Sequence, residues 1–302
     1  MISFAVLLCT YNGEQFLEQQ LGSLAAQSLL PGEIHVHDWG SSDGTIAILH
    51  KWASQLEPEV QFSLTQHDAP LGAARGFLLG LAALLECTRA SHILFCDQDD
   101  VWFPNKLASY RKHLQSASVH TELLFSDLQL IDEDNQVLAD SFYRRHQSPY
   151  QPLVSISSPD LGLVNPVVGM SMCLSADAAS RLARYADAPW PMHDWAAVLL
   201  CRIFDKDAVY IPEPLGAYRQ HPENVRGASS LTNLGERLKR LKSRRRQVQF
   251  LAAWSDALPQ EVRARARSLF PTGRLNAAGL VLRSRNLRVW FRVFYAVVLV
   301  VS

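Results

Sequence analysis

The chain has 302 residues, of which 48% are hydrophobic and 19% are charged, and its formal net charge is zero. This composition is ordinary for a chain that buries a substantial core, and the length provides for one large α/β domain or two smaller ones. The five cysteines include no pair with C-x-x-C spacing, which argues against a disulfide framework or a zinc site and predicts reduced packing residues in a cytosolic protein.

The first half of the chain alternates short apolar strands with helix-like segments. The strands are expected at 4–9, 34–36, 60–64 and 92–96, and the helices at 14–27, 43–54, 72–86 and from residue 105 onward. Strand–helix repetition of this kind predicts a mostly parallel sheet flanked by helices. The apolar residues 1–9 are too few for a signal peptide and lack its basic flank.

Past residue 123 the pattern becomes irregular. A short strand at 123–125 is followed by a Pro- and Ser-rich segment at 148–166, a strand at 167–174, a helix at 193–204 and a strand at 209–211. This part of the chain is expected to form a lid or a second half added to the parallel sheet.

Polar residues follow each of the first three strands. Thr10, Tyr11 and Asn12 offer backbone and side-chain donors to a nucleotide, although an ordinary helix cap is as compatible with them. Asp38 ends the second strand, where it is a candidate acceptor of a hydrogen bond from a base or ribose. Arg75 lies near the start of the third helix, where a cation opposes the helix dipole, so a base, a phosphate or Asp38 is expected as its partner.

The fourth strand ends in three carboxylates within four positions, Asp97, Asp99 and Asp100. Carboxylates this close repel one another unless a cation or hydrogen bonds compensate. Ligands usually bind at strand ends in α/β sheets, and Mg²⁺ prefers carboxylate oxygens that it shares with substrate phosphates. A metal–phosphate site is therefore predicted; the alternative is a solvated acidic turn that caps the helix starting near Pro104.

Several motifs in series are more specific than any one turn. They are Leu8-Cys9-Thr10-Tyr11-Asn12-Gly13, Asp38-Trp39-Gly40-Ser41-Ser42-Asp43-Gly44-Thr45, Asp97-Gln98-Asp99-Asp100, Met192-His193-Asp194-Trp195 and Tyr218-Arg219-Gln220-His221. On these residues the chain resembles the family 2 inverting glycosyltransferases of the GT-A fold, and most closely the bacterial rhamnosyltransferase-like members, over about residues 4–225.

The resemblance implies a GT-A (Rossmann-like) fold with a nucleotide-sugar half at 1–127 and an acceptor half at 128–225. It assigns nucleotide-sugar binding to Thr10, Tyr11, Asn12, Asp38, Arg75 and Asp97, metal binding to Asp99, Asp97 and His221, and the catalytic base to Asp194. The implied metal is Mg²⁺ or Mn²⁺. From the residues alone, an alternative role for Asp194 is the N-cap of a helix at 195–204, and His221 is also a candidate structural histidine. Where the family usually has a second acid after Asp38, this chain has Trp39.

The implied activity is transfer of a sugar such as rhamnose from a dTDP- or UDP-sugar to a glycan or lipid-linked acceptor of cell-surface polysaccharide. A divalent ion would neutralise the diphosphate leaving group, and a general base would activate the acceptor hydroxyl. Two alternatives are a transferase fold that has become an inactive scaffold, and a haloacid dehalogenase-type phosphatase, whose D-x-D-x-[TV] motif matches Asp97 to Val101. The second normally carries that motif on its first strand.

The last part of the chain is strongly basic. Residues 1–225 carry 13 Lys and Arg against 26 Asp and Glu, whereas residues 226–302 carry 16 against 3. Leucines at helical spacing and an apolar stretch at 289–301 predict an amphipathic α-helical tail that binds an anionic membrane surface. The enzyme is then expected in the cytoplasm, peripheral on the inner face of the membrane. The alternative is a basic bundle packed on the acidic body; no nucleic-acid motif accompanies the charge.

Overall fold

The computed structural model describes residues 2–145, 165, 167–188, 190, 192–222 and the isolated positions 260, 263, 264 and 266. The predictions for the segment 148–164 and for nearly all of the tail at 226–302 therefore lie outside the described residues. Among the residues that are described, no helix is both long and apolar enough to cross a bilayer.

Strands and helices alternate through the first half and become mixed in the second. The strands are β1 (Phe4–Thr10), β2 (Glu33–Asp38), β3 (Gln61–Gln66), β4 (His92–Cys96), β5 (Val101–Trp102), β6 (Thr121–Ile131), β7 (Val137–Ala139), β8 (Met172–Ser175) and β9 (Asp207–Arg219). The helices are α1 (Glu14–Ala25), α2 (Thr45–Leu56), α3 (Ala73–Cys87), α4 (Lys106–Ser116), α5 (Phe142–Arg145), α6 (Ala176–Ala183) and α7 (His193–Ile203). The four predicted strands of the first half and the helices that follow them are confirmed.

Within the described residues the strands form one mixed sheet in the order β3-β2-β1-β4-β8-β6-β9-β5, with β7 paired to β6. The first four strands are parallel, and Leu8 of β1 lies between Val36 of β2 and Cys96 of β4. β8 then pairs antiparallel with both β4 and β6, and β6 runs parallel to β9. The prediction of an α/β Rossmann-like sheet flanked by helices is confirmed.

The core explains why β1 and β4 read as unbroken apolar runs. Both strands are central, so side chains on both faces are covered, and the apolar residues of each are almost completely buried. Helix α1 contributes Leu17, Leu21 and Leu24 to this core, which are spaced to share one face of the helix. The carboxyl ends of the parallel strands are thereby held at one rigid edge.

Three predictions in the second half were wrong in extent, and the first is the strand expected at 123–125, which extends over Thr121–Ile131. The segment 167–174 contains a short 3-10 helix at Gly169–Ser171, and only then the strand β8. The strand expected at 209–211 continues through two prolines to Arg219. Its pairing with β6 skips from Ser126–Ile211 to Asp127–Pro214, and this irregularity accommodates Pro212 and Pro214, which lack the N–H of a regular ladder.

Candidate active site

The predicted site residues lie at the carboxyl edge of the parallel strands. Thr10 ends β1, Asp38 ends β2, and Cys96 is followed by the acidic turn at 97–100. From β1 the chain proceeds to β2 on one side, while β4 lies on the other, so the strand order reverses beside β1. In open α/β sheets such a reversal leaves a crevice in which ligands bind.

The turns after β1 and β2 are joined by hydrogen bonds. The Asp38 carboxylate accepts from Thr10 Oγ1 at 2.7 Å, from Ser41 Oγ at 2.6 Å, and from the backbone N–H groups of Gly40 and Ser41. Asn12 N–H donates to Ser41 Oγ at 2.8 Å. Thr10, Asn12 and Asp38 therefore shape the wall of the crevice, and Asp38 is almost completely buried.

Tyr11 is held differently. Its backbone N–H donates to Gln98 Oε1 at 2.8 Å, and its carbonyl accepts from Gln98 Nε2 at 3.1 Å. The side chain between the two acids of the D-x-D motif thus fixes the first turn against the fourth. The Tyr11 ring stays 45% exposed, so it offers an aromatic surface to a ligand.

Trp39 fills the position after Asp38 with an apolar group. Its indole stacks on His67, with ring centroids 3.7 Å apart and planes 10° apart. A Cβ on Gly76 of α3 would lie 2.8 Å from Trp39 Nε1, so the indole packs directly against the helix that carries Arg75. Arg75 itself is exposed and makes no hydrogen bond or ion pair with any described residue, so Asp38, one of its three expected partners, is not in contact with it.

Asp97 and Asp99 lie side by side in the turn after β4, and both are half-buried. Burial, reinforced by the negative charges of Asp99 and Asp194, raises the pKa of Asp97 to about 8. His221 Nε2 lies 2.8 Å from Asp99 Oδ2. The structure thus brings Asp97, Asp99, Asp194 and His221 into one neighbourhood, although they come from three separate parts of the chain.

The third acid of the turn faces inward. Asp100 is 0% exposed, its Oδ1 accepts from Arg219 N–H at 2.9 Å, and its Oδ2 has no hydrogen-bond partner among the described residues. Lys106, which is also fully buried, donates to the Met170 carbonyl and lies 3.8 Å from the Trp102 ring. Burial lowers the pKa of Lys106 to about 7, and the charges of Asp100 and Asp97 oppose that shift.

Asp194 lies in the first turn of α7 and is 6% exposed. The helix begins one residue earlier, at His193, and the N-cap is Met192, which makes no side-chain cap hydrogen bond. The interpretation of Asp194 as the N-cap was therefore wrong. His193 packs between Phe77 and Phe95, where burial lowers its pKa to about 3 and holds the imidazole neutral.

These residues fit a divalent cation that is shared with a ligand. Within the described residues, no three His, Cys, Asp or Glu side chains are already gathered as a metal cage. Mg²⁺ typically binds through one or two carboxylates plus substrate phosphates, which is the number that Asp97 and Asp99 supply. The pKa of Asp97 is raised first by burial and then by the charges of neighbouring carboxylates, and a cation would relieve that repulsion.

Three residues of this region were given no role from the sequence, namely Lys106, and Gln98 and Arg219, which were quoted only as members of motifs. Lys106 gave the same signal as Arg75, because it is a cation in the first turn of a helix, where it opposes the dipole. Arg219 gave a weaker one, as an arginine at the end of a partly apolar strand. Nothing local in the sequence marks Gln98 as the link between two turns.

Comparison with known proteins agrees with this geometry. Residues 5–149 match the sequence model of the family described as Glycosyl transferase family 2. The dTDP-rhamnosyl transferase RfbG of Shigella flexneri is 30% identical over 100 residues, which cover 33% of this chain and 34% of that protein. An uncharacterized glycosyltransferase of Nostoc sp. is 23% identical over 231 residues, 74% of this chain and 66% of that protein. The chain thus matches between about a third and two thirds of the length of these two relatives.

Solved structures share the fold. The mannosyltransferase PcManGT of Pyrobaculum calidifontis, in complex with GDP-Man and Mn²⁺, has a TM-score of 0.57 at 16% identity, over 99% of this chain and 86% of that chain. TarS of S. aureus, in complex with UDP-GlcNAc, has a TM-score of 0.54 at 14% identity, over 93% of this chain and 81% of that chain. Residues 5–149 therefore match glycosyl transferase family 2, and the sheet of the chain has the GT-A fold.

Proposed function

We propose that the chain is a metal-dependent inverting glycosyltransferase that moves a sugar from a nucleotide-sugar donor to a glycan or lipid-linked acceptor. The observation that carries this proposal is the meeting of Asp97, Asp99 and Asp194 at the carboxyl edge of the sheet, where burial and then the charges of Asp99 and Asp194 raise the pKa of Asp97. Repelling carboxylates at a crevice cost stability, and that cost is explained if a cation and its diphosphate bind there.

The donor would lie along the wall formed by the first three turns. Tyr11 presents its exposed ring for stacking, and Arg75 presents an unpaired cation to a base or phosphate. Thr10, Asn12 and Asp38 hold the wall in shape, and Asp97 adds an acceptor for the ribose. Asp99, with Asp97 and His221, would hold Mg²⁺ or Mn²⁺, and the bound ion would neutralise charge on the departing diphosphate.

Asp194 is the proposed general base. Its place in the first turn of α7 puts the carboxylate near Asp97, and a carboxylate at this position can accept the proton of an acceptor hydroxyl. The acceptor hydroxyl would attack the anomeric carbon while Asp194 takes its proton and the diphosphate leaves from the opposite face. A single displacement of this kind inverts the anomeric centre.

The identity of the donor is a further part of the proposal. Similarity to a dTDP-rhamnosyl transferase favours a dTDP-sugar and rhamnose, and the complex of TarS with UDP-GlcNAc supports a UDP-sugar as the competing choice. We also propose the division into a nucleotide-sugar half (1–127), an acceptor half (128–225) and a basic tail (226–302). That tail would place the enzyme on the cytoplasmic face of an anionic membrane, where a lipid-linked acceptor lies.

A thermal-shift screen of dTDP-, UDP- and GDP-sugars with and without Mn²⁺ tests the donor. A ligand at 100 times its Kd stabilises the folded state by about 2.7 kcal/mol, so the correct donor is expected to raise Tm by ~5 °C or more, and only with the metal. Absence of any such shift would contradict the proposal.

Release of nucleoside diphosphate during turnover is the second measurement. The Asp99→Asn protein is expected to lose release of nucleoside diphosphate from that donor, whereas Asp134→Asn, an exposed acid in the β6–β7 hairpin, is expected to retain it. A wild-type chain that binds the donor without turning it over would favour the inactive scaffold.

A further inference from the structure

The side chain of Arg219, the last residue of β9, is completely buried next to the acidic turn. Its Nε donates to the Asp99 carbonyl at 2.7 Å, one terminal nitrogen donates to Gln19 Oε1 at 2.7 Å, and the other donates to the Asp132 carbonyl at 3.0 Å. The guanidinium also lies 4.5 Å over the Phe16 ring. Burying a cation is costly unless it is hydrogen-bonded. Because the guanidinium needs these hydrogen bonds, they hold the Arg219 side chain in one position.

The same residue is held from the other side by Asp100. Arg219 N–H donates to Asp100 Oδ1 at 2.9 Å while the Arg219 side chain donates to the carbonyl of Asp99. Arg219 donates both bonds, one from its backbone and one from its side chain, to two neighbouring residues, and we refer to this pair of bonds as the Arg219 clasp. Since Asp100 is 0% exposed, its carboxylate serves the clasp and does not face the crevice.

The strand end fixes the Asp99 side chain as well as its backbone. Two residues after Arg219, His221 Nε2 lies 2.8 Å from Asp99 Oδ2. Phe16 of α1 packs against both residues, with its ring 5.2 Å from the His221 ring. The backbone and the carboxylate of Asp99 are therefore both anchored by the end of β9.

We propose that Arg219 is a positioning residue that sets the Asp99 carboxylate for the divalent cation, and that Asp100 acts through this clasp and not as a ligand. This inference rests on the proposed function, because it gives Asp99 the metal. Partners that orient a metal-binding carboxylate typically change metal affinity about 10–100-fold when they are altered. The end of β9, which belongs to the proposed acceptor half, would thus determine the metal site of the donor half.

The test is a titration of the full chain with Mn²⁺ in the presence of UDP and, separately, dTDP, followed by electron paramagnetic resonance. Arg219→Lys keeps the charge and loses the planar fork, and it is expected to weaken Mn²⁺ binding about 10–100-fold. The loss of turnover is expected to be largely restored by raising Mn²⁺. Arg181→Lys is the matched control, because Arg181 forms its ion pair with Glu122 away from the site; its Mn²⁺ affinity should equal that of wild type.

A second pair of variants covers a failure of Arg219→Lys to fold. Asp100→Asn keeps an oxygen that can accept from Arg219 N–H and is expected to lose less than ~10-fold in Mn²⁺ affinity, whereas Asp100→Leu removes the acceptor and should lose more. An Asp100→Asn protein as impaired as Asp99→Asn would make Asp100 a ligand and overturn the inference.

The two proposals fail in different ways. Wild-type protein that binds neither Mn²⁺ nor a nucleotide sugar would remove the proposed function and this inference with it. Wild-type protein that binds both, alongside a folded Arg219→Lys protein of unchanged Mn²⁺ affinity, would overturn only the role given to Arg219.

Discussion

The turns that follow β2 and β4 lie at the same edge of the sheet, and both are rich in acidic and hydroxyl side chains. After β2, the Asp38 carboxylate accepts four hydrogen bonds from neighbouring donors, and Asp43 accepts from the Thr45 backbone and hydroxyl. After β4, the charges of Asp97 and Asp99 repel each other. The carboxylates of the first turn have internal donors, whereas in the second turn the proposed cation would offset the repulsion.

This difference separates two kinds of acidic residue that look alike in a sequence. A carboxylate with internal donors stabilises the fold, and its removal should be measured as lost stability. A carboxylate without them destabilises the fold, and its removal should be measured as lost function. Substitutions therefore show whether a given residue contributes to stability or to function.

The largest effect is expected at Asp194. Asp194→Asn preserves the shape of the side chain but cannot take a proton, so kcat should fall by ~10²–10⁴ while the KM for the donor changes little. Steady-state kinetics of sugar transfer measure both. Asp187→Asn is the control. Asp187 is an exposed acid that precedes α7 in the sequence, and its replacement should leave kcat unchanged. A near-normal kcat in Asp194→Asn would rule it out as the base.

The opposite result is expected at Asp38. Asp38→Ala removes an acceptor shared by Thr10, Gly40 and Ser41, so the free energy of unfolding should fall by ~2–4 kcal/mol, as measured by urea denaturation. Asp68→Ala, an exposed acid at the end of β3, should be within ~0.5 kcal/mol of wild type. If Asp38→Ala kept full stability and lost only donor affinity, Asp38 would belong with the ligand-binding acids.

The sequence predicts the positions of these two turns well because both follow local patterns. An apolar run that ends in polar residues marks a buried strand and its carboxyl end, and four such runs place the turns at one edge. The sequence does not predict which carboxylate accepts hydrogen bonds from other residues of the protein. The donors to Asp38 include residues 28 positions away, and Asp100 meets Arg219 across 119 positions. Those pairings depend on tertiary contacts.

The length of β9 is also set by tertiary contacts that the sequence does not reveal. Pro212 is a reasonable end for a strand because it cannot donate to a ladder, yet β9 continues because the pairing with β6 is irregular at that point. The extension carries Arg219 and His221 to the acidic turn. Local rules therefore predict the turns after the parallel strands, while their contact with the end of β9 depends on an irregular pairing that no local pattern shows.

A smaller effect should appear in the pH dependence of metal binding. The pKa of Asp97 rises from 3.8 to about 8 in the folded protein, so between these values the folded state binds more protons than the unfolded state. Without metal, the free energy of unfolding contributed by Asp97 therefore decreases as pH rises from about 4 to 8.

Binding of Mg²⁺ must displace this proton, so its apparent affinity should rise about tenfold per pH unit below pH 8 and level off above it. Thermal shifts with Mg²⁺ and nucleotide from pH 6 to 9 measure the trend. Asp97→Asn should flatten it; a slope that persists in this variant would place the titrating group elsewhere.

The smallest effect is expected at Gly76, which packs against Trp39 in the turn after β2. A methyl group on Gly76 of α3 would lie 2.8 Å from Trp39 Nε1, so Gly76→Ala should displace the indole from His67 and cost ~1–3 kcal/mol. Gly22→Ala in α1 is a matched control, because its Cβ would meet Trp52 at an ordinary 3.6 Å. There, replacing a helical glycine should stabilise by ~0.5–1 kcal/mol.

Urea denaturation and tryptophan fluorescence of both variants measure the difference. Because Arg75 is the neighbour of Gly76, a displaced indole should also raise the donor KM. If Gly76→Ala were as stable as Gly22→Ala and its donor KM were normal, the indole would be free to move. Trp39 would then not be part of the rigid wall, and the rigidity of the second turn would depend on the hydrogen bonds of Asp38 alone.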